Sequence, residues 1–228
     1  MRVAGPCVLA LQQVFLDDWY FAAKRSIKLE PMHLSESTKH HLRGGSYHSW
    51  AQVIPFGPSD ESQNGILLFM QVIQSAKQRL WIATPYFIPD NTLERLVELA
   101  VLRGVDVRVI IPSRPDHLFV HRVTLVYAKR LLAKGIKVYL YTKGFMHQKV
   151  ILVDDSLTVV GTSNFDNRSM YLNFETALVV HDRVFSDEVS QMLTNNLNAS
   201  TPLRLDEKRE RWFRAFPTKL VRLLAPLL

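Results

Sequence analysis

The sequence predicts an α/β fold, an α/β/α sandwich built on a mixed, mostly parallel sheet. Two observations carry that prediction. From Val53 onward, apolar runs of strand length alternate with segments of helical periodicity, the pattern of a sheet covered on both faces. The chain of 228 residues is also 47% hydrophobic, enough to close a sizeable core as one domain with appendages.

The first element in chain order is a helix. Val8, Leu11, Phe15 and Trp19 recur at helical spacing, while Gln12, Gln13, Asp17 and Asp18 break up or end the uncharged stretch that begins at Val3. It reads as an amphipathic core helix and not as a signal peptide. Residues 24–50 carry Lys24, Arg25, Lys28, Glu30, Lys39, Arg43 and the pair Gly44-Gly45 with little periodicity, which predicts a linker or surface loop. His33, His40, His41 and His48 fall in it, but no acidic or cysteine partners arrive at ligand spacing, so it is read as solvated and not as a metal site.

Residues 51–200 hold the layered domain. Its strand candidates are "AQVIPF" from Ala51, "RLWIATP" from Arg79, "VDVRVIIP" from Val105, "IKVYLY" from Ile136, "KVILVD" from Lys149, "LTVVG" from Leu157 and "TALVVHD" from Thr176. Helices lie between most of them. In "NTLERLVELAVLRGV", Asn91 is suited to cap the first turn, Leu93, Leu96, Val97 and Ala100 form one face, and Gly104 stops the helix. Lys129 to Gly135 ends another helix in the same manner. No internal repeat is visible.

Charge narrows the partners. With 28 Lys+Arg against 21 Asp+Glu the formal net charge is +7, and the pI of about 9.6 favours anionic partners such as nucleic acid or acidic lipid headgroups. Cys7 is the single cysteine, which excludes an internal disulfide and a cysteine-rich zinc site. The uncharged stretches at 3–16 and 62–76 are too short to span a bilayer, so no transmembrane helix is expected in this chain.

Residues 147–155, "HQKVILVDD", carry the chemistry. Alternation along an extended strand projects His147 and Lys149 the same way, with Ile151 and Val153 continuing that face into the core. A core histidine beside a snorkelling lysine is the bland reading of such a pair. The residues downstream favour another. A hairpin returns the polar corner of Gly161, Thr162 and Asn164 toward His147, and a cation with neutral donors around one imidazole suits the non-bridging oxygens of a phosphodiester. Glu175 is then expected to accept from Nδ1–H of His147, leaving Nε2 free as a nucleophile.

His147-x-Lys149-x-x-x-x-Asp154, followed by Gly161-Thr162-x-Asn164 and Glu175, resembles the HKD motif of the phospholipase D superfamily. More narrowly, "TPYFIPD", "GVDVRVIIPSRPD", "GTSNFDNRSMYLNFE" and the ending "LLAPLL" are similar to bacterial cardiolipin synthases, over essentially the whole chain. The resemblance implies a phospholipase D-like α/β/α sandwich. It also implies two HKD motifs, one histidine attacking phosphorus and the other protonating the leaving alcohol, with His147 in one of those roles. Lys149, Thr162 and Asn164 are expected to bind the phosphoryl oxygens and Glu175 to orient an imidazole. Asp154, on the opposite face from His147 by parity, is assigned a supporting, hydrogen-bonding role within this catalytic set. The implied reaction joins two phosphatidylglycerol molecules into cardiolipin and glycerol, with no cofactor: no metal, ATP or CTP.

No other histidine is followed by lysine two positions on. The opening "RVAGPCVLALQQVFLDDW" resembles the stretch after the first motif of cardiolipin synthases, so residues 1–23 are read as the end of a preceding N-terminal lobe and the chain as a C-terminal half. The expected partners are therefore the N-terminal HKD half of the same enzyme, or a homodimer partner, together with phosphatidylglycerol and anionic membrane lipid. A bacterial cytoplasmic membrane location follows from that expectation. Residues 201–228 form a basic amphipathic segment in which Phe213, Phe216, Leu220, Leu223, Leu224 and Leu227 alternate with Lys208, Arg209, Arg211, Arg214, Lys219 and Arg222. Two readings stand for it: a helix lying in an anionic bilayer surface, or one packed on the domain.

His117 and His121 sit one helical turn apart, but Leu118 stands where a zinc protease needs glutamate, so they are read as a helix face near the mouth of the site. Against the phosphatidyltransferase reading stand a phospholipase D or nuclease resolving the same intermediate with water, and a non-catalytic half that only binds lipid. A nucleic-acid partner is not expected, because no aromatic stacking residues cluster with the lysines.

Overall fold

An eight-stranded mixed sheet forms the middle layer of the protein. The computed structural model describes residues 1–27, 49–114 and 116–204. The strands are β1 (Trp50–Phe56), β2 (Arg79–Ala83), β3 (Phe87–Ile88), β4 (Asp106–Pro112), β5 (Lys137–Tyr141), β6 (Val150–Val153), β7 (Leu157–Gly161), β8 (Phe165–Asp166), β9 (Glu175–His181) and β10 (Ser200–Pro202). The helices are α1 (Pro6–Ala23), α2 (Asn64–Ser75), α3 (Asn91–Leu102), α4 (Leu118–Leu132), α5 (Asn167–Tyr171) and α6 (Arg183–Asn198). The large sheet runs β1-β9-β7-β6-β2-β4-β5-β10, and β3 pairs with β8 as a separate ribbon.

Strand alternation divides the core between the two faces. Leu80, Ile82, Val107, Val109, Ile151 and Val153 join Phe69, Val97 and Leu131 from α2, α3 and α4 on one side. Trp81, Ala83, Ile110, Val150 and Leu152 meet Val189 and Leu193 of α6 on the other. These two layers make the α/β/α sandwich expected from the sequence, and all seven strands read there are present within two residues at either end. Beneath the site, Phe87 and Phe165 stack at 5.2 Å between ring centroids. Both are fully buried, a burial that contributes about 1.5–3 kcal/mol for each such side chain.

Three expectations need correction. The large sheet is mixed, but parallel pairing within it is confined to β2–β4 and β4–β5. The pairings β6–β7, β7–β9, β1–β9 and β2–β6 are antiparallel, and in the hairpin β6–β7 the short turn Asp154–Ser156 leaves no room for a crossover helix. The first helix is not a core helix: α1 has no buried residue, and it leans on the edge strand β1, where the Cys7 thiol donates to the carbonyl of Ala51 at 3.4 Å. One strand edge covers one flank only, so Phe15 and Trp19 stay exposed. The cap of α3 is Asp90, whose carboxylate accepts from Leu93 N–H at 2.7 Å, and Asn91 is the first helical residue.

The histidines of the 24–50 stretch and the basic amphipathic segment lie outside the described residues, apart from 24–27, 49–50 and 201–204. Among the described residues no helix is long and apolar enough to cross a membrane.

Candidate active site

The site is assembled where β6 and β9 begin and β2, β4 and β7 end. The β6–β7 hairpin pairs Val150 with Val160, so its open end holds Lys149 beside Gly161, and Gly161 N–H donates to the Lys149 carbonyl at 3.2 Å. A side chain at 161 would stand 2.5 Å from the carbonyl oxygen of Thr176 on β9, so only glycine admits this close approach. That contact brings the corner after β7 against the start of β9.

His147 is exposed on the loop leading into β6, with the Phe145 ring tilted against it at 5.7 Å. The Lys149 ammonium lies 3.0 Å from His147 Nε2 and 3.3 Å from the His147 carbonyl. An ammonium only donates, so Nε2 is the accepting nitrogen and Nδ1 carries the hydrogen of the neutral ring. Partial burial pushes the Lys149 pKa below the usual lysine range, while the negative charges of Glu175, Asp166 and Asp116 hold it up.

Glu175 is buried and both of its oxygens are held. Thr162 Oγ1 donates to Oε2, and Asn173 Nδ2 donates to Oε1 at 3.1 Å. Thr162 Oγ1 in turn accepts from the backbone N–H of Thr176 at 3.0 Å. The expected bond from His147 to Glu175 is not formed: the corner puts Thr162 and Asn173 on that carboxylate, and the hydrogen-bond partner of the His147 ring is Lys149.

Asn164 is tied down through its backbone N–H, which donates to Ser169 Oγ at 3.1 Å, and its carboxamide donates to Asp166. Because the carboxylate must accept, Nδ2 faces Asp166, and Oδ1 is buried without a hydrogen-bond partner among the described residues. Asp166 caps α5 through Ser169 N–H at 2.8 Å, and burial pushes its pKa up to about 6. Thr84 closes the floor: its hydroxyl accepts from Phe165 N–H at 3.2 Å and donates to the Tyr86 carbonyl at 2.9 Å. Thr84, Lys149, Gly161 and Ser163 line one pocket.

The structure therefore gathers His147, Lys149, Thr162, Asn164 and Glu175 at one end of the hairpin. It separates Asp154 from them. That residue lies at the opposite end of β6, in a left-handed turn at φ 49°, and its carboxylate accepts the backbone N–H groups of Lys77, Gln78 and Arg79 at 2.8–3.2 Å. It ties the hairpin turn to the loop before β2.

Thr84 and Asp166 were not read from the sequence. The signal for Thr84 was its position just past the C-terminal end of a parallel strand, where α/β sheets gather ligands. Asp166 gave none, since an N-cap aspartate looks the same whether or not it borders a site. Among the described residues, no group of three or more His, Cys, Asp or Glu side chains is arranged to hold a metal ion. A cation, an imidazole and a carboxamide gathered at the open end of one hairpin are groups suited to receive a phosphate ester.

Residues 69–197 match the family described as cardiolipin synthase, PLD-like domain. The whole chain is 38% identical to cardiolipin synthase A of Pseudomonas entomophila (strain L48) and 39% identical to that of Pseudomonas fluorescens (strain SBW25). It spans 46% of the length of each. Among solved structures, phosphatidylserine synthase of Haemophilus influenzae Rd KW20 aligns with 95% of this chain and 61% of its own at a TM-score of 0.66 and 16% identity. The phospholipase D family member Nuc of Salmonella typhimurium aligns with 69% of this chain and 100% of its own at 0.60 and 21% identity, a likeness of fold.

Proposed function

This chain belongs to the cardiolipin synthase, phospholipase D-like domain family, and we propose that it supplies one catalytic half of a phosphatidyltransferase that joins two phosphatidylglycerol molecules into cardiolipin and glycerol. The observation that carries the reading is the Lys149 ammonium on Nε2 of His147, at the same end of the hairpin as the Asn164 carboxamide, whose Nδ2 keeps one hydrogen beyond its bond to Asp166. A phosphodiester entering there takes the ammonium onto a non-bridging oxygen and frees the Nε2 lone pair.

In the proposed reaction, one imidazole nitrogen attacks phosphorus, the bond from phosphorus to the glycerol oxygen breaks, and a second imidazole gives its proton to that oxygen. The hydroxyl of a second phosphatidylglycerol then attacks the phosphohistidine, returning its proton to the second imidazole as the P–N bond breaks. His147 takes one of these two parts. The other histidine comes from an N-terminal half or from a second copy of this chain. Glu175, held by Thr162 and Asn173 and unbonded to His147, is suited to orient that second imidazole. Asp154 supports the hairpin from its far end. The exposed apolar side chains of α1 are consistent with residues 1–23 closing a neighbouring lobe. Work at the surface of an anionic membrane suits the substrate and the +7 charge.

Incubation of the chain, alone and together with an N-terminal half carrying the other motif, with phosphatidylglycerol vesicles and, separately, with plasmid DNA tests this reading. Cardiolipin and glycerol appear in equal amounts if it is right, with second-order dependence on protein concentration where two copies share a site. Cleavage of DNA without any cardiolipin overturns it in favour of a nuclease.

A further inference from the structure

Beside the catalytic corner stands a polar pair that the phosphate chemistry leaves unused. Tyr86 Oη donates to Asp116 Oδ2, and Asp116 Oδ1 accepts the backbone N–H of His117 at 2.7 Å. Two strand pairings hold this group beside the catalytic corner. In the β2–β6 ladder Ala83 faces Val150, which sets Thr84 alongside Lys149, and the Thr84 hydroxyl grips the Tyr86 carbonyl. In the β3–β8 ribbon Phe87 faces Phe165, so the residues just before them, Tyr86 and Asn164, enter the ribbon side by side. α4 is fastened to the same ribbon by Thr124 Oγ1, which accepts from Phe87 N–H at 3.4 Å. The Asp116 charge is felt at both Lys149 and His121.

The two sides differ in hydrogen-bonding character. Lys149 and the Asn164 amide are donors, matched to phosphoryl oxygens. Tyr86, with its hydrogen committed to Asp116, has lone pairs to offer, and the exposed Asp116 carboxylate has acceptor capacity beyond its two bonds. Thr84 adjoins Lys149, and the bend at Pro85 carries the chain on to Tyr86, whose carbonyl the Thr84 hydroxyl holds. A head group that fits has a phosphate at one end and hydroxyl donors at the other.

We infer that Tyr86 and Asp116 form a diol-reading subsite, accepting the hydroxyls of a glycerol head group whose phosphate is held by Lys149. The inference rests on the phosphodiester reading of that site and adds to it the residues that select the alcohol. A donor-rich site selects phosphate esters in general. The paired acceptors discriminate for a polyhydric alcohol, because an alkyl head group leaves them without donors and strips their water.

Binding of glycerol phosphate and of ethyl phosphate to the full chain, followed by calorimetry or by the His147 ring resonances, tests this without requiring turnover. The two probes carry the same phosphate monoester and differ in their hydroxyls. Glycerol phosphate is expected to bind about tenfold tighter. Tyr86→Phe and Asp116→Asn, checked for unchanged thermal unfolding, are each expected to abolish that advantage and to leave ethyl phosphate binding as it was. Equal affinities in the unsubstituted protein, or an advantage that survives both substitutions, overturns the diol subsite alone. Failure of ethyl phosphate to bind, or binding indifferent to Lys149→Ala, overturns the phosphate site and the subsite with it.

Discussion

The Lys149 ammonium donates to Nε2 of His147 across 3.0 Å, which fixes the neutral ring with its hydrogen on Nδ1. One bond thereby sets the tautomer, and in the proposed reaction it occupies the Nε2 lone pair until a substrate oxygen draws the ammonium away. Lys149→Ala is expected to lower turnover by about 10²–10³-fold, the usual cost of one charge-stabilising donor. The ¹⁵N resonances of the His147 ring are expected to shift toward a mixture of tautomers. Unchanged ring resonances in the variant would show that Lys149 does not set the tautomer.

Asp154 is expected to matter for folding and not for chemistry. Its carboxylate accepts three backbone N–H groups at the far end of β6 from the site. Asp154→Ala should cost about 1–3 kcal/mol of stability, as expected when backbone donors lose a charged acceptor. Denaturant unfolding gives the number. Activity per folded molecule should stay close to that of the unsubstituted protein, and a large loss of turnover without loss of stability contradicts the assignment.

Asp166 makes stability depend on pH in a defined window. Burial raises its pKa from 3.8 unfolded to about 6 folded, so the folded chain holds the proton more tightly. The stability this contributes is complete below about pH 4 and is lost as the pH rises to about 6, by about 3 kcal/mol at 1.36 kcal/mol per unit. Asp166→Asn keeps a capping side chain without the charge. Its stability relative to the unsubstituted protein should improve between pH 4 and 6 and stay level above. A difference independent of pH sinks the prediction.

Where the sequence was legible, the reason is periodicity: the strand from Arg79 and the hairpin through Asp154 are short apolar runs with unambiguous ends. The same alternation foretold that His147 and Lys149 share a side, and they meet at bonding distance. Strand direction was illegible, because a strand buried on both faces is an uninterrupted apolar run in either orientation. Amphipathic spacing in α1 gave its helical form but not what covers its face, so Phe15 and Trp19 looked like core. Side-chain partners across loops were the hardest to read. Glu175 was expected to bond the imidazole, but Thr162 from the corner and Asn173, two residues before Glu175, reach it first.

The central claim is that His147 performs phosphoryl transfer, and His147→Ala tests it most directly. The ring is exposed, so thermal unfolding should move by no more than about 0.5 kcal/mol. Release of head-group glycerol from phosphatidylglycerol vesicles, measured together with cardiolipin formation in the active assembly, should fall to background. Undiminished glycerol release from a folded variant contradicts the account.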